Sequence, residues 1–216
     1  MQNFLAWIFD MDGVIVDSMP FHIRAWELYL EDKGIDPALL NRHMHGKHND
    51  ELIREFFGAD LPASAVRLMG EEKEAVYRRL IQPELEGALV PGIRQVLSLQ
   101  PQERKAVASN AEPRNVQFVL DEAGLGQHFG AVLDGYQVER GKPDPEIYLK
   151  AAQALNVEAQ RCLVFEDSQT GINAALAAGM TVVAVNTHRA ALAGMALEIS
   201  HFEDDRLPAW LAQTSR

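Results

Sequence analysis

Five short apolar runs punctuate the chain, at residues 4–9, 105–109, 131–133, 162–165 and 181–185. Most are rich in Val, Ile, Phe or Leu and show no alternation with polar residues. That pattern predicts strands buried on both faces of a parallel sheet. Between the later runs, apolar positions recur at helical spacing over 110–124, 145–155 and 168–178. The first of these opens on a polar cap and carries Pro113 in its first turn, where a missing N–H costs little. The last is stopped by Gly179. Strand and helix alternate, so this part of the chain predicts an α/β fold with a doubly wound parallel sheet.

Residues 19–87 break the alternation. They show helical periodicity and no convincing strand: 21–33 ends at Gly34, 49–57 ends at Gly58, and 63–82 carries Val66, Met69, Val76, Tyr77 and Leu80 at helical spacing. The expected organisation is a small all-helical domain, 18–87, inserted after the first strand of a core domain formed by 1–17 and 88–216. Pro91 and Gly92 mark the return to the core. In the tail, 197–202 predicts a short edge strand and 207–213 a last helix.

Composition narrows the function classes. Of 216 residues, 47% are hydrophobic, enough for a substantial core. Twenty basic residues stand against 31 acidic ones, for a formal net charge of -11. No basic cluster would track nucleic acid or an anionic membrane, so neither partner is expected. An anionic substrate would need a local device, such as a metal ion, to overcome the general field. Cys162 is the sole cysteine, which rules out a disulfide within the chain and suits a reducing compartment. No apolar run approaches the roughly 20 residues of a membrane span, and the N-terminus lacks the marks of a signal peptide. A cytoplasmic protein, monomeric, is the expectation.

Ligands of open α/β sheets bind beyond the carboxyl ends of the strands, so the residues that follow each run carry the chemistry. Asp10, Met11, Asp12 and Gly13 follow the first run. Ser109 closes the second and Asn110 follows it. Gly141, Lys142 and Pro143 lie in the loop after the third, and Glu166 and Asp167 follow the fourth. Parallel strands would gather these groups at one edge: four carboxylates, one lysine and a hydroxyl. Four carboxylates in a small volume need compensation, and a hard divalent cation with oxygen ligands, Mg²⁺ first among them, supplies it. A metal, a lysine and hydrogen-bond donors around a nucleophile form a constellation for phosphoryl transfer.

The motifs "DMDGV" at 10–14, "ASN" at 108–110, "GKPDP" at 141–145 and "FEDSQTG" at 165–171 occur together and in order. On them the chain resembles the haloacid dehalogenase-like superfamily, in its phosphatase and phosphomutase branch with a helical cap. The resemblance covers nearly the whole chain and implies a Rossmann-like core with that cap. It implies that Asp10 is the nucleophile, carrying an aspartyl-phosphate. Asp12 would be the general acid and base, a role that needs it protonated at first, and its carbonyl would touch the metal. Ser109 and Lys142 would bind the transferred phosphoryl group, with Asn110 beside them. Glu166 and Asp167 would complete a Mg²⁺ site with Asp10 and Asp12. Each motif also has a plainer reading. Ser109 and Asn110 can cap a helix, the acidic pair can complement a helix dipole, and Asp17 suits a structural place at the hinge.

His43, His45 and His48 invite a zinc reading, which lacks a second ligand group. The resemblance offers a better one: a cap loop around Gly46 would read the substrate, with Lys47 supplying charge, and His22 on the first cap helix would help position the general acid. The start of the chain looks much like a β-phosphoglucomutase. That group, however, carries a lysine just before the loop glycine and an arginine three residues after it, where this chain has His45 and Asn49. Losing that grip on a second phosphate favours a phosphatase acting on a small phosphorylated metabolite such as a sugar phosphate. The alternative is a β-phosphoglucomutase interconverting β-glucose 1-phosphate and glucose 6-phosphate. A dehalogenase would need neither Asp12 nor the Glu166–Asp167 pair, and a non-catalytic scaffold would be expected to have lost one of these groups.

Overall fold

The computed structural model of the chain describes residues 4–40 and 49–214. Within them, six strands form one parallel sheet: β1 (Ala6–Phe9), β2 (Lys105–Ala108), β3 (Ala131–Leu133), β4 (Cys162–Glu166), β5 (Thr181–Val185) and β6 (Leu197–Ile199). Their order across the sheet is β3-β2-β1-β4-β5-β6. The strand order reverses between β1 and β4, and in such sheets the crevice outside the carboxyl ends at that switch is where ligands bind. The doubly wound parallel sheet expected from the apolar runs is present, with each of the five runs contributing a strand and the tail a sixth.

The runs lack polar alternation, yet they alternate in size. Ala6, Ile8, Ala106, Ala108, Cys162, Val164, Val182 and Ala184 share a cluster with the buried faces of helices Glu146–Ala154 and Gln169–Ala177. Small residues there let the helices approach closely. The intervening positions of β1 and β4 are bulky: Phe9 stacks on Phe165 at 4.7 Å, and Trp7 meets Phe165 edge-on at 5.7 Å. Phe129 and Phe202 complete this aromatic layer. Because side chains of a strand alternate faces, both layers follow from one period-2 pattern of volume.

The helices fall close to their expected places. Pro113–Glu122 starts three residues later than 110, with Pro113 at its first position, which leaves Asn110 and Ala111 in the loop. Ser168 caps Gln169–Ala177 by accepting the Gly171 N–H at 3.1 Å. Ile93–Leu97, a single short helix with Ile93, Val96 and Leu97 buried, was not expected, because five residues are too few to display a period.

The chain forms two compact units. One is the stretch up to Asp17 together with everything from Leu85 onward, and it contains the sheet. The other, Ser18–Glu84, contains helices Met19–Asp32, Asn49–Phe57 and Ala63–Ile81 and no strand among its described residues. Its own core joins Trp26, Tyr29, Leu30, Leu52, Ile53 and Val66. Among the described residues, no helix is long and apolar enough to cross a membrane.

Candidate active site

Register assembles the site. β1 and β4 pair Ala6 with Cys162, Ile8 with Val164 and Phe9 with Phe165. One step further along the same register, Asp10 lies beside Glu166, and the Asp10 N–H continues the ladder to the Phe165 carbonyl at 3.0 Å. By parity, Asp10 falls on the face of Ile8, and Glu166 on the face of Val164. Two acids that are 156 positions apart are thereby neighbours at the carboxyl edge of the sheet. Asp167 joins them: carboxylate oxygens of Asp10, Glu166 and Asp167 lie within 4.8 Å of one another.

Lys142 reaches into this group. Its Nζ is 2.5 Å from Asp10 Oδ1 and 2.7 Å from Glu166 Oε1. The loop that carries it is braced from the β2 end, since Asn110 Oδ1 accepts the Lys142 N–H at 3.1 Å. Gly141 lies close against the Asn110 amide, and a Cβ at Gly135 would fall 2.4 Å from the Asn110 carbonyl oxygen. Asn110 therefore holds the lysine loop in place. Ser109 is buried beside it, and its Oγ accepts the Ala111 N–H at 3.1 Å.

Glu166 is the most constrained carboxylate. Its Oε1 accepts from Lys142 and from the Tyr148 hydroxyl, the latter at 2.9 Å. Its Oε2 accepts the Ser168 N–H at 2.9 Å and the Ser168 hydroxyl at 3.0 Å. Gly171 leaves room for this arrangement, because a Cβ there would overlap Glu166 Oε1 at 1.8 Å. Gly13 does the same for the other acid. At φ +77° it turns the chain after Asp12, and a Cβ on it would fall 2.0 Å from Asp167 Oδ2.

The electrostatics show an incompletely compensated cluster. Burial first, with help from Glu166 and Asp12, pushes Asp10 up to about 7 against the pull of Lys142. Burial and the neighbouring Asp10, Glu166 and Asp12 push Asp167 up to about 9. Burial would raise Glu166 too, but Lys142, Ser168 and Tyr148 outweigh it and hold its carboxyl below the usual range. Burial would strip Lys142 of its proton, yet Asp10 and Glu166 keep it well above the usual lysine range. One ammonium thus serves two carboxylates, and Asp167 is left with negative neighbours. An all-oxygen donor set with excess negative charge fits a hard divalent cation. The fit is strongest for Asp10 and Asp167, because the four donors of the protein already occupy Glu166. The Asp12 side chain is not part of the close trio, although its charge is felt by both Asp10 and Asp167.

His22 belongs to the helical unit, where its ring stacks on Tyr77 at 3.8 Å and its Nδ1 lies 3.0 Å from Lys73 Nζ. Lys73 and Glu74, both buried, pair at 2.7 Å, and Asn49 Nδ2 donates to Glu74 Oε1 at 2.5 Å. Gly46 and Lys47, like His43, His45 and His48, lie outside the described residues. Asp17 donates its N–H to the Ala88 carbonyl, and its carboxylate meets His188 Nε2 at 3.0 Å.

Sequence reasoning passed over Tyr148 and the Lys73–Glu74 pair. A signal for Tyr148 existed. It occupies the buried face of a helix, and a buried tyrosine hydroxyl needs a partner. Lys73 and Glu74 carry no such signal, since charges on a helix are ordinarily solvated.

Comparison with known proteins agrees with the motifs. A family model described as haloacid dehalogenase-like hydrolase matches residues 5–179. The β-phosphoglucomutase of Bacillus subtilis is 33% identical over 187 residues, 83% of this chain and 82% of that protein. The fructose-1-phosphate phosphatase of Escherichia coli is 32% identical over 189 residues, 85% of this chain and 97% of its own length. A crystal structure of β-phosphoglucomutase from Clostridium difficile superposes with a TM-score of 0.77 at 25% identity, covering 97% of this chain and 98% of the other.

Proposed function

The chain belongs to the haloacid dehalogenase-like hydrolases, and we propose that it is a Mg²⁺-dependent phosphatase acting on a small phosphorylated metabolite such as a sugar phosphate. It is an enzyme of the phosphatase and closely related phosphomutase group. The observation that carries the reading is the Asp10 carboxylate, held by Lys142 at 2.5 Å in one cluster with Glu166 and Asp167 at the switch point of the sheet.

An oxygen of Asp10 attacks the substrate phosphorus in line with the ester oxygen. Asp12 donates its proton to that oxygen as the P–O bond breaks, and the alcohol leaves. Asp12, now a carboxylate, takes a proton from a water that attacks the same phosphorus. Inorganic phosphate departs and Asp10 is regenerated. The Lys142 ammonium and the Ser109 hydroxyl stabilise charge on the equatorial oxygens. A divalent cation held by Asp10, Asp167 and the Asp12 carbonyl, with the Glu166 carboxylate behind them adding negative charge, would supply the positive charge that keeps Asp10 ionised despite its raised affinity for a proton. His22, Asn110, Gly46 and Lys47 are assigned to substrate recognition on the family resemblance.

A second reading, β-phosphoglucomutase, is favoured by the similarity to the Bacillus subtilis enzyme. Against it stands Asn49, a neutral residue whose amide is engaged with Glu74. One assay separates them. The protein is incubated with Mg²⁺, β-glucose 1-phosphate and a trace of glucose 1,6-bisphosphate, and glucose 6-phosphate and inorganic phosphate are followed together. Phosphate release, on this sugar or across a panel of phosphate esters, is expected. Rapid glucose 6-phosphate formation without phosphate release would overturn the phosphatase reading in favour of the mutase.

A further inference from the structure

Tyr148 stands behind the proposed cation site and contacts two of its charged groups. It is fully buried on helix Glu146–Ala154, whose inner face packs against β1, β2 and β3. Its hydroxyl donates to Glu166 Oε1 at 2.9 Å, and its ring lies 4.9 Å from the Lys142 ammonium. Glu166 is 0% exposed, so no solvent molecule stands in for a missing donor.

The division of donors around Glu166 gives the hydroxyl its importance. A carboxylate offers about four lone-pair positions, and here Lys142, Tyr148 and the two Ser168 groups fill them. Ser168 governs Oε2 alone. Oε1 is shared, and without the hydroxyl its remaining partner would be Lys142. That ammonium also has to serve Asp10 at 2.5 Å. A Glu166 oxygen deprived of its second donor would draw Lys142 away from Asp10 and would itself swing about the Ser168 anchor. Both movements displace carboxylate oxygens from the trio that lies within 4.8 Å.

We propose that Tyr148 is a positioning residue: its buried hydroxyl fixes Glu166 and its ring supports Lys142, so that the cation is bound tightly and Lys142 stays on Asp10. The inference rests on the proposed phosphatase reading and its cation site. Outer hydrogen-bond partners of metal-holding groups commonly set affinity through orientation alone, and Tyr148 has the geometry of such a partner.

Tyr148→Phe removes one oxygen and keeps the ring, so the packing of the helix on the sheet is retained. Mg²⁺ binding is measured by calorimetry on wild type and variant, beside Mg²⁺ titrations of phosphatase activity. The expected result is a Mg²⁺ dissociation constant raised about tenfold in Tyr148→Phe. The Mg²⁺ concentration for half-maximal rate should rise in parallel, with kcat at saturating Mg²⁺ changed by no more than about threefold. A variant that binds Mg²⁺ as wild type does, with only a lowered melting temperature, would show a purely structural hydroxyl and overturn the inference. A wild-type protein that binds no Mg²⁺ and hydrolyses no phosphate ester would overturn the phosphatase reading and this inference with it. Wild-type binding and hydrolysis alongside an unaltered variant would sink the inference alone.

Discussion

At the scale of single residues, the site combines one ammonium shared by two carboxylates with an excess of negative charge. Asp10→Asn keeps the shape of the carboxylate and removes the proposed nucleophile. It should lower phosphatase turnover by roughly 10⁴-fold or more, with the circular dichroism spectrum unchanged. Near-normal turnover in that variant would refute the role given to Asp10. Asp167 is the acid that burial and its neighbours push up to about 9. Asp167→Asn should therefore stabilise the metal-free protein near pH 8, by on the order of 2 kcal/mol in urea titrations, while abolishing Mg²⁺ binding. A destabilised variant would mean that Asp167 has a compensating partner. Gly13→Ala combines a disfavoured φ with a Cβ 2.0 Å from Asp167 Oδ2. It should cost about 1–3 kcal/mol and weaken Mg²⁺ binding together, whereas backbone strain alone would leave the metal affinity intact.

At the scale of elements, parity and register carry the argument. The run at 162–165 extends one residue further as β4, so Glu166 is the last residue of a strand and shares a face with Cys162 and Val164. That face meets the helix bearing Tyr148. The motif around Gly171 is legible in the same terms: the glycine sits in the first turn of helix Gln169–Ala177 and leaves space for the Glu166 carboxyl. Ser168→Ala removes a helix cap and a donor to Glu166 at once. A loss of about 1–2 kcal/mol is expected from the cap, with a further fall in Mg²⁺ affinity that a cap alone would not cause. In the helical unit, Trp26 is 2% exposed and joins all three main helices in one core. Trp26→Ala should cost about 3–5 kcal/mol. Since the unit is compact in its own right, the loss should show as an early transition in thermal unfolding, ahead of the sheet. A single, uniformly shifted transition would show that the two units unfold as one.

At the scale of the whole molecule, the cluster links stability, pH and metal. Burial and the neighbouring carboxylates push Asp10 up to about 7 and Asp167 up to about 9 in the folded chain, well above the ordinary aspartate range. The folded state therefore holds more protons than the unfolded state through this window. Stability of the metal-free protein should fall as pH rises from about 4 to about 9, by up to about 1.4 kcal/mol per pH unit for each proton involved. Glu166, held low, contributes in the opposite sense, and only as pH falls through the acid range. Added Mg²⁺ should flatten the decline, and its binding near neutrality should release protons. Calorimetry in buffers of different ionisation enthalpy measures that release. Proton-neutral binding together with a flat stability profile would contradict the assignment of Asp10 and Asp167 to the site.

The amino-acid sequence alone determined the parallel sheet, the helical character of the stretch after the first strand and most of the groups that meet at the carboxyl edge. Runs of Val, Ile, Phe and Leu declare buried strands through local composition. Asp10, Asp12, Lys142, Glu166 and Asp167 follow those runs, so topology alone sends them to one edge. Only the tertiary structure decided how the groups divide their partners. Lys142 is shared between Asp10 and Glu166, Asn110 braces the lysine loop, and Tyr148 completes Glu166. The size alternation of β1 and β4 was also invisible to a reading of polarity, because both faces are apolar. The buried Lys73–Glu74 pair escaped for a related reason, since burial of a charge depends on what packs over it from elsewhere in the chain. Spacing along a strand fixes the face on which a side chain emerges. The partner it meets there comes from another element, 18 positions away for Tyr148 and Glu166 and 132 for Lys142 and Asp10, and only the packed structure brings the two together.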